Sequence, residues 1–450
     1  MVRRFTFLFL LFALAKFTFP QAAWSLISPL PDGYDINSIC VVDSNVVFVV
    51  GVGNDIWRTL DGGKTWELKN TGIPAGYGIY GVSATDSLNC IVGWLTTNQS
   101  SASIYRTNNG GKSWTSVWTL AGSFPDGIKM FNPSYGIFIG DPTGTGKPYQ
   151  FLYTKDGGAT WNLSPTSPIA TSEYGVINAF DFIDTNRIWV GSANTVGTAT
   201  SAKIYKTTSG INGTWTFANV AGTAGTQGLY YQAVAFVDSS NGMAGSNNND
   251  IVKTTDGGTT WTAVAIPSDL TNFSTINMTG LKDGSKTIWM SVNVGTSAYN
   301  LYFTTDLGTT WTSITTPDEI LLSGMQHIQF LTPTLGYAGG SNGVMYKYSI
   351  PVTAINDKNI IPANYNIFQN FPNPFNPSTS IQYQIPENAF VSIRVYNSLG
   401  QQAAVLVNGM ETAGTHQVQF NAANLSSGIY FYVIKAGEKF FSTRKMILLK

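Results

Sequence analysis

Asp61-Gly62-Gly63-Lys64-Thr65-Trp66 is the stretch on which the fold is read. It sits in TLDGGKTW (59–66) and returns as TNNGGKSW (107–114), TKDGGATW (154–161), TTDGGTTW (254–261) and TTDLGTTW (304–311). A sixth copy, TTSGINGTW (207–215), carries one extra residue and has Ser209 at the Asp position. A short carboxylate or amide, as at Asp61, Asn109, Asp156, Asp256 and Asp306, bonds backbone N–H groups two or more residues on. The glycines that follow take positive φ without a Cβ clash, which suits a tight hairpin. Thr then opens a strand, and the Trp supplies a large apolar body for packing.

The box tryptophans Trp66, Trp114, Trp161, Trp215, Trp261 and Trp311 are spaced by 48, 47, 54, 46 and 50 residues. A period in the forties with strand-like flanks predicts propeller blades of four antiparallel strands. Seven apolar inner segments precede the boxes: 46–51, 90–94, 135–140, 187–191, 242–245, 288–292 and 335–340. Only six boxes accompany them. The seventh blade, roughly 324–349, therefore lacks an outer strand of its own, and Trp24-Ser25-Leu26-Ile27 is expected to supply it. That closure removes an exposed sheet edge. The repeats resemble the Asp-box (BNR-type) repeats of sialidase-like propellers, and the expected fold is an all-β, seven-bladed propeller over 24–350.

Ahead of it, residues 1–23 read as a secretory signal peptide, with Arg3 and Arg4 before the apolar run 5–15 and small Ala22 and Ala23 after it. The run is shorter than the ~20 residues a membrane helix needs, and no other stretch is a candidate span. Lys plus Arg equals Asp plus Glu, 25 each, and only 11% of residues are charged, against about 25% in ordinary soluble domains. Such a chain offers no basic footprint for nucleic acid. Cys40 and Cys90 fall in inner strands of adjacent blades and read either as buried thiols or as a disulfide that export would permit.

The short a–b hairpins (such as 43–45 and 184–186) and the boxes share one face of the propeller. The long, variable b–c loops (94–102, 141–149, 192–202, 293–299) and the d–a loops open on the other. Variable loops on a rigid scaffold are where binding resides. The ligand-face candidates are Trp94, Tyr149, Tyr174, Tyr230 and Tyr231, with Asp126, Asp141 and Glu173, and the ligand class is a glycan or a protein. The sialidase resemblance would imply three arginines on the substrate carboxylate, a Tyr/Glu nucleophile pair and an Asp acid/base. The propeller holds only Arg58, Arg106 and Arg187, none at the variable face, so that triad is absent. A glycosidase needs two positioned carboxylates, for which Asp126, Asp141, Glu173, Asp269, Asp318 and Glu319 are the candidates. No His or Cys cluster has metal-ligand spacing, and no glycine loop leads strand into helix to hold a phosphate. No cofactor is expected. The repeat also resembles the photosystem II assembly-factor propellers, whose arginine-rich patch has no counterpart here.

Residues 351–364 read as a linker. Beyond them, alternating apolar positions such as Val391/Ile393/Val395 and Ile429/Phe431/Val433 describe short half-buried strands, an immunoglobulin-like sandwich over 365–450. The matching pieces Asn370-Phe371-Pro372-Asn373-Pro374, Gly400, Gly414, Gly428-Ile429-Tyr430 and the end Lys445 to Lys450 make this segment similar to the type A C-terminal sorting domain of the type IX (Por) secretion system. The resemblance implies the type IX machinery as partner and delivery to the cell surface or medium. The expected function is an exported, non-enzymatic binding or scaffold propeller, with a carbohydrate-active hydrolase as the alternative.

Overall fold

The structure, a computed structural model, describes residues 23–27, 29–223, 228–294, 298–314, 327–349, 364–370 and 373–449. Most of the signal segment and of the linker, together with Asp318, Glu319, Pro372 and Lys450, lies outside the described residues. The chain divides into two compact units, 1–351 and 352–450.

The first unit is a seven-bladed β-propeller. Its innermost strands are Ile36–Val41, Gly78–Ala84, Pro125–Met130, Phe180–Phe182, Leu229–Phe236, Phe273–Gly280 and His327–Thr332, each followed in its blade by three further antiparallel strands. The start of Leu229–Phe236 also pairs with the short Ala193–Asn194 strand, making a six-stranded sheet with Glu173–Tyr174. The apolar runs read as inner segments are the second strands, buried on both faces between blades. Val47–Gly51 and Gly136–Gly140 are buried at every position, which is why they read as continuous rather than alternating. Cys90 therefore sits on a second strand, whereas Cys40 is innermost; both thiols are buried and free.

The seventh sheet is completed by the N-terminal segment. Ala23–Leu26 pairs antiparallel with Met345–Ser349, setting Trp24 opposite Tyr348. Trp24 is buried and packs edge-on to Trp289 of blade 6 and Phe330 of blade 7, with centroids 5.9 Å away in both cases. Aromatic pairs at that separation add to the area they bury, so the closing strand is held by packing as well as by its ladder.

The Asp-Gly-Gly turns act as the sequence chemistry requires. Asp61 accepts from Thr65 N at 2.9 Å and from the Thr65 hydroxyl at 2.7 Å, while Thr59 Oγ1 accepts from Gly63 N at 2.9 Å. Gly62 and Gly63 take φ of 73° and 90°, and Gly62 N donates to Asn45 O in the a–b hairpin of the same blade. Both turn types thus lie on one face. Asp156, Asp256 and Asp306 repeat the hydroxyl clasp with Thr160, Thr260 and Thr310. Asn109 accepts from Ser113 N, and Ser209 keeps a single bond to Thr214 N. The box tryptophans reach the preceding blade: Trp114 Nε1 donates to Lys69 O and Trp311 Nε1 to Ala265 O. Trp114 is buried, but Trp66, Trp161, Trp215, Trp261 and Trp311 are only half-buried, each roofing the seam instead of filling it.

The second unit is a two-sheet sandwich. Asn366–Ile367, Ser378–Ile385 and Gly414–Asn421 form one sheet, and Gln402–Glu411, Ala389–Asn397, Gly428–Ala436 and Phe440–Leu448 the other. The alternation expected from sequence is found for Val391, Ile393 and Val395, which face inward. The 428–436 strand has the opposite phase: Tyr430, Tyr432 and Ile434 are buried and Ile429 is exposed, because the larger tyrosine rings fill the core.

Candidate functional site

The central channel holds a cavity of about 400 Å³, to which all seven innermost strands contribute. One register position lines it repeatedly. Counting back from the a–b turns, it is occupied by Cys40, Ser83, Lys129, Asp181, Ala235, Thr279 and Gln329, which pair with Phe48, Ile91, Ile137, Trp189, Met243, Trp289 and Tyr337 on the second strands. At four of these the side chain clasps the next blade. Cys40 Sγ accepts from Ala84 N at 3.2 Å, Ser83 Oγ from Met130 N at 2.9 Å, Asp181 Oδ2 from Phe236 N at 2.7 Å and Gln329 Oε1 from Val41 N at 2.6 Å. An innermost strand has one unpaired edge, so a side-chain acceptor from its neighbour satisfies an N–H that would otherwise face the channel.

Lys129 breaks this pattern because an ammonium has no lone pair to offer. Its Nζ lies 5.2 Å from the centroid of the Phe182 ring, and Lys282 Nζ lies 5.2 Å from the same ring. Lys282 also pairs with Asp181 Oδ1 at 2.8 Å. At the opposite end, Asn178 Nδ2 donates to Asn37 O at 2.9 Å. These residues belong to blades 4 and 1, three apart around the ring, so this bond crosses the channel. The cavity reaches Asp283 and Pro333 in the a–b turns of blades 6 and 7. It therefore extends to the face opposite the variable loops. His327 lines it too, and burial pushes its imidazole down to about 4, leaving it neutral near pH 7.

Most of the residues nominated at the variable face are not available there. Trp94, Tyr149 and Tyr231 are buried in the seams between blades, because a large apolar body beside a loop gains more by filling the gap below it than by standing in water. Tyr231 also donates to Ala221 O at 2.6 Å. Tyr174 is 41% exposed, and Tyr230 is half-buried.

Asp126, Asp141 and Glu173 are likewise enclosed, whereas Asp269 is exposed. Asp126 is 2% exposed, its Oδ2 buried without a hydrogen-bond partner and packed against Gly175 Cα. Gly175 N donates to the half-buried Asp141. Burial, together with the neighbouring Asp141, pushes Asp126 well up, and burial raises Asp141 to about 7 against the Gly175 N–H that stabilises its anion. Burial would also raise Glu173, but its ion pair with Lys203 and the Ser172 and Thr171 donors hold it at about 2. The structure thus brings Asp126, Asp141 and Glu173 together between blades 3 and 4 as an internal cluster. Asp269 accepts from Tyr302 OH at 3.2 Å. The arginines stay at the box face: Arg58 pairs with Glu67, Arg106 donates to Gly157 O and Arg187 pairs with Asp184. Among the described residues no group of three or more His, Cys, Asp or Glu has metal-site geometry. Lys129, Asp181, Phe182, Lys282 and Gln329 were not singled out in the sequence. Aligning the residues that precede each a–b turn would have exposed a lysine among acceptors and small side chains.

In the sandwich, Asn370, Asn373 and Phe375 are knitted to the strands around them, the last one included. Asn370 N donates to Tyr432 OH at 2.8 Å, and Asn370 Nδ2 to Thr379 Oγ1 at 3.0 Å. Asn373 Oδ1 accepts from Ile447 N at 2.8 Å, and Leu449 N donates to Phe375 O. The Asn373–Pro374 bond is cis. Tyr430 is buried, its hydroxyl donating to Ser426 O. Gly400 takes φ 77° in the 397–400 turn, whereas Gly414 and Gly428 open strands.

Comparison with known proteins separates the two units. Residues 369–449 match the secretion system C-terminal sorting domain. A search of curated proteins finds no sequence match. Among solved structures, YCF48 bound to D1 peptide aligns with a TM-score of 0.55 at 18% identity, covering 72% of this chain and 94% of that one. YCF48 from Cyanidioschyzon merolae gives 0.54 at 18%, over 73% and 99%. The GH74 xyloglucanase from Xanthomonas campestris gives 0.54 at 12%, over 86% of this chain and 60% of that one. These likenesses are of fold. No helix among the described residues is long and apolar enough to cross a membrane. The sorting domain indicates a protein secreted or attached at the cell surface and implies contact with the type IX machinery. The chain is a β-propeller that carries, at residues 369–449, a type IX (Por) secretion system C-terminal sorting domain.

Proposed function

We propose that the protein is an exported binding propeller that does no chemistry on its ligand, carried out through the type IX machinery by its sorting domain. The supporting observation is the enclosure of Asp126 and Glu173. Asp126 is buried against Gly175, and Glu173 is committed to Lys203, so within the cluster of Asp126, Asp141 and Glu173 no open pair stands ready to flank a scissile bond. The ligand is a glycan or a protein segment, as Tyr174 and Tyr230 offer aromatic surface beside the long loops. The Asp-Gly-Gly turns are read as Asp-box repeats with a structural role, and residues 1–23 as the export signal. The domain limits follow from this reading: propeller 24–350, linker 351–364 and an immunoglobulin-like sorting sandwich 365–450.

The hydrolase alternative has one observation in its favour, the raised proton affinities of the neighbouring Asp126 and Asp141, since perturbed carboxyls are frequent at acid–base sites. A glycan array followed by a reducing-end release assay on each bound glycan tests both. Saturable binding without release supports the binding reading; turnover that Asp141→Asn abolishes in a folded protein overturns it.

A further inference from the structure

The charged spot in the channel carries a sharper statement, which rests on the binding reading above. We propose that Lys129 and Lys282, set about the Phe182 ring, form a carboxylate-binding site reached from the a–b hairpin face.

Three observations converge on it. The first is the register. At the position Lys129 occupies, the other blades carry side chains that clasp a neighbour or stay small. The ammonium of Lys129 makes no ion pair or hydrogen bond among the described residues; it approaches the Phe182 ring and the buried Cys40 thiol, which burial keeps protonated. The scaffold thus gains nothing from a cation there that a threonine or glutamine would not supply better. The second is the charge balance of everything facing the spot. Lys282 is paired with Asp181, which also accepts from Phe182 N and Phe236 N. Asp283, in the turn of blade 6, accepts from Ser285 N, and His327 is neutral. One ammonium, that of Lys129, is left without a carboxylate beside it. The third is the room. About 400 Å³ lies within the ~300–1,000 Å³ range of small-ligand sites.

The chemistry narrows the ligand. A lysine ammonium is a compact charge that suits an oxyanion without demanding a planar, two-point match. Asp181 beside Lys282 repels a second negative charge, so a monoanion fits better than a phosphate monoester. The Phe182 ring and the backbone-lined wall accept the apolar face of a sugar or a small side chain. The ligand is therefore a carboxylate on a unit of monosaccharide or dipeptide size, presented by a uronic-acid sugar or by the free C-terminus of a peptide.

Calorimetric titration of the full chain separates the two sources. The probes are digalacturonate, its neutral methyl ester, and Gly-Leu with free or amidated C-terminus. At least one free-carboxylate probe is expected to bind saturably, with its neutral partner at least tenfold weaker. Lys129→Gln should weaken that probe at least tenfold, Lys129→Arg should retain it, and salt should weaken it in the parent. Because Lys129 holds no hydrogen bond, the Gln variant should keep the parent melting temperature; a matching near-ultraviolet circular dichroism spectrum checks the fold. Equal binding of acid and neutral forms, indifference to Lys129→Gln, or no binding of either acid overturns the proposal. The first two outcomes leave the binding reading standing. Cleavage of a Lys129-dependent digalacturonate would instead overturn the binding reading while keeping the site.

Discussion

Gln329 Oε1 accepts the backbone N–H of Val41 at 2.6 Å, joining the innermost strand of the last blade to that of the first across 288 residues of sequence. The bond is one of four clasps made from the same register position around the channel, but this one closes the ring. The other closure is at the outer edge of the same blade, the Ala23–Leu26 strand on Met345–Ser349. Replacing Trp24, buried against Trp289 and Phe330, with Ala should cost about 3–5 kcal/mol, as aromatic-to-alanine changes in cores do. Thermal unfolding of parent and variant checks this; equal melting temperatures would mean that the ring holds without its N-terminal strand.

The turns admit a finer test through their threonines. Thr154 is fully buried, and its hydroxyl accepts from Gly158 N at 2.8 Å while donating to Asp156 at 2.8 Å. Thr154→Val keeps the shape and strands a buried N–H, which should cost about 1–3 kcal/mol. Thr160 is exposed, and its loss should cost less. If both variants melt with the parent, these bonds do not hold the turn.

The same turns set the acid limit of the propeller. The Thr160 hydroxyl and its N–H hold Asp156 at about 2, and the Thr260 N–H and hydroxyl do the same for Asp256. A carboxyl whose folded value lies below its unfolded one contributes stability above the unfolded value, and that contribution is lost as pH falls. The loss should therefore run from about pH 4 down to about pH 2. A propeller with Asp156→Asn and Asp256→Asn should lose less stability across that window than the parent, measured by denaturant unfolding at each pH.

How much of this was legible in the sequence depends on what kind of signal each part leaves. The blade count and the need for a borrowed strand were readable because Trp66 to Trp311 recur with one local context. The mismatch of seven apolar runs with six boxes has a single economical solution. Exposure of the aromatics was not readable. Trp94 and Tyr231 flank loops in sequence, yet whether a ring beside a loop turns out or under is decided by the neighbouring blade, tens of residues away. Asp126 and Asp141 were found as candidates, but only the fold shows Gly175 between them. The channel went unnoticed because its residues are spaced a blade apart and carry no local motif. The terminal strand has part of its outer edge taken by Asn373 and Phe375, contacts between segments that share no pattern in the sequence.

Asp126 offers a pH test with the opposite sign. Its carboxyl and that of Asp141 are raised, so the folded state favours their protonated forms, and ionisation above the folded values opposes folding. Asp126→Asn should raise the melting temperature at pH 8, with the gain shrinking toward zero by about pH 4, where the unfolded carboxyl is also protonated. A loss of stability at pH 8 would mean that the anion of Asp126 is itself compensated in solution, by a bound cation or ordered water at its unpartnered oxygen.

The sorting domain allows the firmest prediction, because its signal and its core are one object. Tyr432 is buried, donating from its hydroxyl to Phe368 O and accepting from Asn370 N, both at 2.8 Å. Tyr432→Phe takes the hydroxyl away from Phe368 O and Asn370 N, which should destabilise the sandwich by about 1–3 kcal/mol. The sandwich fills its core from its own residues, Ile367 to Leu448, and the propeller ring closes on residues before 350. Deleting 365–450 should therefore leave a propeller that still unfolds cooperatively, while in a host with a type IX machine the shortened protein collects in the periplasm. Tyr432→Phe should lower the exported fraction without changing the propeller transition. Fusing 351–450 behind a signal peptide and an unrelated small domain should carry that domain to the surface or the medium. Undiminished export of the shortened protein, scored by fractionating cells and medium, would refute the link between this sandwich and secretion, and the domain would then have to be read as a second binding module.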